Sequence, residues 1–277
     1  MSNILQIDYR SKTAPEDFVK SLSSTGFAVI NNHDIDANLI LETYNDWKKF
    51  FSLEEKHSYR FDDLKQDGYF PFKSENAKGY HTKDLKEFFH IYRWGKYPCE
   101  ISDATKKMHH TLLALGTVLL DYLDDYAPAS TRKKFSMKLS EMINGSGQNL
   151  LRVIHYPPVE TKDTLEGAIR AAAHTDINLI TILIAEPGLQ VIDESGDWVD
   201  INLPENSIVI NIGDMLQEAS GGFYKSTIHR VINPKLENNR SRYSIPLFIH
   251  PKDNVKLSGR FTAKEYLEKR LKEIGLK

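Results

Sequence analysis

His174-Thr175-Asp176 sets an imidazole and a carboxylate two residues apart. Where the chain enters a strand, side chains i and i+2 point to one face, so both groups can serve a single point in space. A third donor must come from elsewhere in the chain, and His229, within Tyr224-Lys-Ser-Thr-Ile-His-Arg-Val231, is the best candidate. Two histidines and one carboxylate on one face of an octahedron leave the opposite face open, which suits ferrous iron reacting with small molecules. Arg242-Tyr243-Ser244 adds a second pair by the same alternation, a guanidinium beside a hydroxyl. That pair suits a buried carboxylate, because arginine offers paired donors and keeps its charge when desolvated.

The segments that must position these groups change character midway along the chain. Up to about residue 148 the pattern is helical with short strands. A helix follows Thr13 through Pro15, Phe18, Val19 and Leu22, Gly26 releases the chain into a buried strand Phe27-Ala-Val-Ile30, and a second helix spans Asp36 to Phe51. Ser52 and Glu55 have capping-box spacing, which predicts a third, brief helix. Met108, Leu112, Leu115, Leu119 and Tyr122 form one apolar stripe on a long helix from Ser102 to about Tyr126. From Leu150 onward come short β-branched or aromatic runs: Leu151–Tyr156, Leu179–Ile184, Leu189–Ile192, Trp198–Ile201, Ser207–Ile212, Ser226–Ile232 and Tyr243–Ile249. Their close spacing predicts a β-sandwich or barrel. Phe261 to Ile274 reads as a closing helix, with Thr262 and Glu265 in capping-box positions.

The 277 residues allow about two domains on length alone. No linker rich in Gly, Ser or Pro divides the chain, so we expect one domain over 1–277: a helix-rich part over about 1–148 packed on a β-core over about 149–250, and a terminal helix over 251–277. Lys and Arg number 36 against 38 Asp and Glu, a net charge of −2 that gives no field to draw nucleic acid or anionic lipid. Hydrophobic residues at 40% suffice for a sizeable core. Asp8, Arg10 and Lys12 stand where an export signal would need an apolar stretch, and no run approaches the length of a membrane span. Cys99 is the single cysteine, which suits a reducing cytoplasm and leaves nitrogen and oxygen to hold any metal.

His174-x-Asp176, His229 and Arg242-x-Ser244, in this order and spacing, resemble the isopenicillin N synthase-like family of Fe(II)- and 2-oxoglutarate-dependent oxygenases. Gly26-Phe-Ala-Val-Ile-Asn-Asn-His33, Gly213-Asp214, Gly222-Phe-Tyr-Lys-Ser226 and Leu151-Arg-Val-Ile-His-Tyr-Pro157 are similar to further segments of that family, so the likeness runs from about residue 5 to residue 265. The resemblance implies a mainly β fold with flanking helices, a distorted double-stranded β-helix or jelly roll. It implies His174, Asp176 and His229 as iron ligands, Arg242 and Ser244 on the distal carboxylate of 2-oxoglutarate, and Tyr156 beside that acid. Ile154 stands where many plant members have asparagine, which removes one co-substrate contact. Asp176 is present where related halogenases have a small residue, which disfavours halogenation. The implied reaction is oxidation of a small molecule by O2, most simply hydroxylation, with desaturation or ring closure as variants, and release of succinate and CO2.

Two other readings accompany this one. An oxidase of the same fold could take all its electrons from the substrate and use Arg242 and Ser244 on a substrate carboxylate, and a non-catalytic or zinc-loaded module could keep the three ligands. Phe72, Arg93 and Arg152 are conceivable substrate contacts. His109 and His110 point about 100° apart on a helix and cannot share a metal. His155 alternates away from Tyr156, His250 is expected at the surface, and Gly145-Ser-Gly147 reads as a turn. No assembly seam stands out, and a monomer is the default.

Overall fold

The computed structural model describes residues 4–76, 82–165 and 167–273. Its helices are α1 (Ala14–Thr25), α2 (Ala37–Ser52), α3 (Ala104–Asp125), α4 (Ala129–Arg132), α5 (Leu139–Ile143), α6 (Thr161–Leu165), α7 (Asp214–Ala219) and α8 (Ala263–Glu273). The strands are β1 (Gln6–Asp8), β2 (Phe27–Asn31), β3 (Gly68–Phe70), β4 (Glu87–Ile91), β5 (Leu150–Tyr156), β6 (Ala171–His174), β7 (Ile180–Ala185), β8 (Leu189–Ile192), β9 (Trp198–Asp200), β10 (Ile208–Ile212), β11 (His229–Val231) and β12 (Arg242–Ile249). An eight-stranded sheet in the order β1-β2-β10-β7-β12-β5-β4-β3 lies over a four-stranded sheet β6-β11-β8-β9, a jelly roll with helices on its outer side.

The two faces of the large sheet explain why its strands read as nearly unbroken apolar runs. Phe27, Val29, Ile154, Tyr156 and Val209 turn inward and pack on Ala171, Leu189, Val191 and Val231 of the small sheet. Alternate residues, among them Ala28, Ile30, Leu151, Val153, Ile182 and Ile210, face outward into a second cluster with Leu22, Trp47, Met108 and Leu112 of the helices. Both faces are buried, so neither needs polar residues. Met108, Leu112 and Leu119 of the α3 stripe are fully buried, and Leu115 and Tyr122 pack at its margin.

Gly26 and Gly213 let backbones approach where the sheet is tightest. Gly26 ends α1 at φ 76°, and a Cβ there would stand 2.4 Å from Thr227 Oγ1. A Cβ on Gly213 would stand 2.1 Å from the carbonyl oxygen of Asn178, so only glycine allows residues 213–215 to hydrogen-bond the turn after β6.

The short strands expected among the N-terminal helices are present, and β1 to β4 complete both ends of the large sheet. Local capping expectations are corrected in part. Ser52 closes α2 by donating to the carbonyl of Lys49 (2.6 Å), and the following 3-10 helix, Glu54–Tyr59, has no side-chain cap because its N-cap residue is Leu53, which carries no side-chain oxygen. Thr13 likewise leaves α1 uncapped and pairs with the hydroxyl of Ser11. The Thr262–Glu265 box does form: Glu265 Oε2 accepts from the amide of Thr262 (2.7 Å) and Thr262 Oγ1 from that of Glu265 (3.3 Å). Ile274, the expected end of that helix, lies outside the described residues. Among the described residues no helix is long and apolar enough to cross a membrane.

Candidate metal centre and co-substrate pocket

His174 ends β6, His229 begins β11, and antiparallel pairing sets them directly opposite each other. Their rings lie 4.4 Å apart, centre to centre. Nδ1 of His174 is 2.7 Å from the carbonyl oxygen of Ala172, and Nδ1 of His229 is 3.1 Å from that of Thr227. A carbonyl only accepts, so each Nδ1 carries the proton and each Nε2 keeps a free lone pair. Those Nε2 atoms lie 3.9 and 3.8 Å from Asp176 Oδ1, and the three donor atoms fall within 4.8 Å of one another.

Asp176 arrives by a different route from the one the alternation rule suggests. The strand stops at His174, and Asp176 sits in the loop that follows. Thr181 Oγ1 (2.6 Å) and Asn211 Nδ2 (2.8 Å) both donate to its Oδ2, and the amide of Asp214 donates to its carbonyl (2.7 Å). One carboxylate oxygen is thereby tied to the large sheet, and the other faces the histidines. Replacing Asn211 with leucine should weaken Fe(II) binding about 10- to 100-fold, as loss of an outer-shell partner does elsewhere. Titration of the folded variant with Fe(II) checks this, and unchanged affinity would show that Thr181 alone holds the carboxylate.

Burial, reinforced by the neighbouring His229 ring, pushes the His174 imidazole down to about 4. Burial alone would raise the Asp176 carboxyl, but His229, His174 and the bonds from Asn211 and Thr181 outweigh it and hold the group below the usual carboxylate range. At neutral pH the cluster therefore presents a neutral His174 and an ionised carboxylate, the forms that bind a metal. Nitrogen and carboxylate donors of this kind fit a divalent iron ion.

Arg242 and Tyr156 are cross-strand partners, as are Ser244 and Ile154, so Arg242 and Ser244 share the inner face with Tyr156. Arg242 is 2% exposed. Its Nε donates to the carbonyl of Pro187 (2.9 Å) and its Nη2 to that of Glu186 (2.8 Å), while Nη1 is buried without a partner. A guanidinium fixed on one edge and orphaned on the other fits an incoming anion. Arg170, which no sequence signal singled out, is also buried, with its Nε unpartnered. Burial and the nearby charge of Arg242 push it down to about 10.

Residues 147–251 match the 2OG-Fe(II) oxygenase superfamily, and residues 5–111 match the N-terminal region of the non-haem dioxygenases described from morphine synthesis. A Shewanella oneidensis structure described as an oxygenase superposes with a TM-score of 0.89 at 44% identity, over 99% of each chain. The chain belongs to the 2OG-Fe(II) oxygenase superfamily. A Caulobacter crescentus member is 31% identical over 99% of this chain and 100% of its own, with a TM-score of 0.81. The 2-oxoglutarate-dependent dioxygenase citB of Monascus ruber is 29% identical over 84% of this chain and 77% of its own. The protein is thus a non-haem dioxygenase that uses Fe(II), 2-oxoglutarate and O2.

In the oxygenase the remaining candidates separate clearly. Arg93 is exposed and Phe72 is 40% exposed, whereas Arg152 is half-buried on the inner face two residues before Ile154. His155 points outward, where it meets Glu87 (2.7 Å) and Ser241 (3.0 Å). His109 is buried in α3 and His110 is exposed. His250, expected at the surface, is half-buried, and burial pushes it down to about 4. It follows directly on β12, whose end is paired with β7 beside the Asp176 loop. Periodicity could not flag Thr181 or Asn211, since each looks like a polar interruption in an apolar strand. In the folded sheet they are register partners, and both reach Asp176.

Proposed function

We propose that the oxygenase holds Fe(II) through His174, Asp176 and His229 and holds 2-oxoglutarate through Arg242, Ser244 and Tyr156. With these groups it oxidises a small organic substrate, by hydroxylation in the default case. The observation that carries this reading is the convergence of two Nε2 lone pairs and one carboxylate oxygen within 4.8 Å. The orphaned Nη1 of Arg242 supports the second half, because a buried guanidinium hydrogen without an acceptor is costly and an acid would supply one.

The bound iron supplies the redox chemistry by which 2-oxoglutarate and O2 become succinate and CO2 and one oxygen atom reaches the substrate. The residues of this chain do the rest. The carbonyls of Ala172 and Thr227 fix both imidazole tautomers, and Thr181 and Asn211 aim Asp176. Arg242 is locked by the carbonyls of residues 186 and 187, so little rearrangement accompanies binding of an acid. Phe27 packs edge-on against His229 at 5.5 Å and, with Val29, Val191 and Val231, keeps water from that side.

The same reading places the enzyme in the cytoplasm, supported by its single cysteine, which is free and exposed, and treats it as a monomer without a nucleic-acid or membrane partner, supported by its near-neutral charge. Anaerobic addition of Fe(II) and 2-oxoglutarate should give a chelate absorption band that neither component gives alone. Admitting O2 should then yield succinate. A correctly folded protein that develops no band would overturn the assignment.

A further inference from the structure

On the inner face of the large sheet, beside the proposed metal centre, lies a buried group of charges that the reaction described above does not use. Lys86 and Asp84 are 6% and 4% exposed, and the side chain of Arg152 is 16% exposed. Burying ions is costly unless they are paired or meet a ligand. The cluster adjoins the triad on two sides. The carboxylate of Asp84 accepts from the amide of Ala172 (3.0 Å), whose carbonyl orients His174. Arg152 lies over the ring of Phe248 at 5.5 Å, and Phe248 is the register partner of Thr181, which holds Asp176.

Arg152 is pre-aimed. Its Nε donates to Nε2 of His90 (2.8 Å), and His90 can accept there only because its Nδ1–H donates to the carbonyl of Gln66 (2.7 Å). Burial and the charge of Arg152 hold that imidazole neutral, well below its ordinary value. The guanidinium rests on the face of Phe88 at 4.4 Å, an arrangement that stiffens it further. Its Nη1 (3.3 Å) and Lys86 Nζ (2.8 Å) then converge on one atom, Oε2 of Glu75. Lys86 is also paired with Asp84 (2.8 Å). Arg152, His90 and Phe88 are strand residues, and Lys86 directly precedes β4. Glu75 comes from the irregular segment between β3 and β4, and its side chain is 24% exposed. The rigid part of this site is cationic with an aromatic wall, and its negative partner is the replaceable one.

We propose that Arg152 and Lys86 form a substrate subsite for an organic acid, whose carboxylate takes the position of the Glu75 carboxylate. This deepens the function proposed above and rests on it, because the acid is read beside the iron and 2-oxoglutarate sites. Exchange of one carboxylate for another leaves the charge of the cluster unchanged, and the aromatic faces of Phe88 and Phe248 receive the apolar body of the molecule.

The test titrates a panel of small aromatic and aliphatic carboxylic acids, each beside its primary amide, into the anaerobic Fe(II)–2-oxoglutarate enzyme, and follows both the chelate band and succinate formed on adding O2. Some acids should perturb the band and stimulate succinate, with their amides weaker by roughly 10- to 150-fold, the range for a charged hydrogen bond. Arg152→Gln should remove the difference between acid and amide while keeping the unperturbed band, and Glu75→Gln should tighten the acids by removing their competitor. Amides that match acids, an Arg152→Gln enzyme that still prefers acids, or a wild-type band that no acid perturbs would each overturn the subsite. Failure of the band to form in the first place overturns the iron and co-substrate assignment, a separate outcome.

Discussion

His229→Ala should abolish iron retention and reduce succinate formation to background. The residue supplies one of only two imidazoles in the cluster, and its ring is held by Thr227 on one side and by Phe27 on the other. What remains is one imidazole and one carboxylate, too few to fix a divalent ion against water. Loss of an outer-shell partner costs about 10- to 100-fold in affinity, so loss of a ligand should exceed 100-fold. Iron content after desalting, measured beside a thermal melt to show that the variant folds, checks the result. One iron per chain in a folded variant would remove His229 from the ligand set.

Arg242→Ala should act on the other half of the centre. It removes a buried guanidinium that touches no proposed metal ligand, so Fe(II) should bind the variant as it binds the parent. The affinity for 2-oxoglutarate should fall by about 2–5 kcal/mol, the cost of truncating one partner of a buried charged pair, or roughly 30-fold to several thousand-fold. Titration of the chelate band at saturating Fe(II) gives the constant directly. If both affinities fall together, the variant has disturbed the barrel, and Arg242→Lys, which keeps the charge without the fork, separates the causes. If neither falls, the distal carboxylate is held elsewhere, and Arg170, buried near Arg242 with an unpartnered Nε, is the next residue to replace.

The distribution of effects across these variants follows from how the strands are laid out. β5, β12 and β7 are neighbours in the large sheet, and their registers put Tyr156 opposite Arg242 and Phe248 opposite Thr181. The proposed co-substrate residues Arg242 and Tyr156 thus lie at one end of this run of strands, with Ser244 two residues further in, and the Asp176 support lies at the other, with Arg152 between. Ile154 and Phe88 are themselves cross-strand partners, which makes the floor between the two ends apolar. A substrate lying across that floor has the triad on one side and the Arg152 cluster on another.

Local patterns in the chain were enough to indicate much of this architecture. The apolar stripe of α3, the Thr262–Glu265 cap and all the β-branched runs after Leu150 correspond to observed elements within a few residues, because each is set by burial periodicity or by a contact a few residues long. Arg242 and Ser244 were paired correctly by alternation because both lie inside one strand. The same rule gave the wrong reason for His174 and Asp176, since β6 ends between them and the carboxylate is aimed by Thr181 and Asn211 from two other strands. The Ser52–Glu55 signal failed because α2 runs through Ser52, which leaves the N-cap position of the next helix to Leu53, a residue with no side-chain oxygen.

Residue types and order along the chain were therefore sufficient to propose nitrogen and carboxylate donors for a metal and a guanidinium for a carboxylate, and the family resemblance added 2-oxoglutarate as the acid. Three-dimensional packing was needed to choose which polar groups serve those donors. Strand register places Asn211 beside Thr181 and Arg152 beside His90, ion pairs from an irregular segment set Glu75 between two cations, and both depend on contacts between residues far apart in the chain. Such contacts leave no periodic mark in the segments that make them.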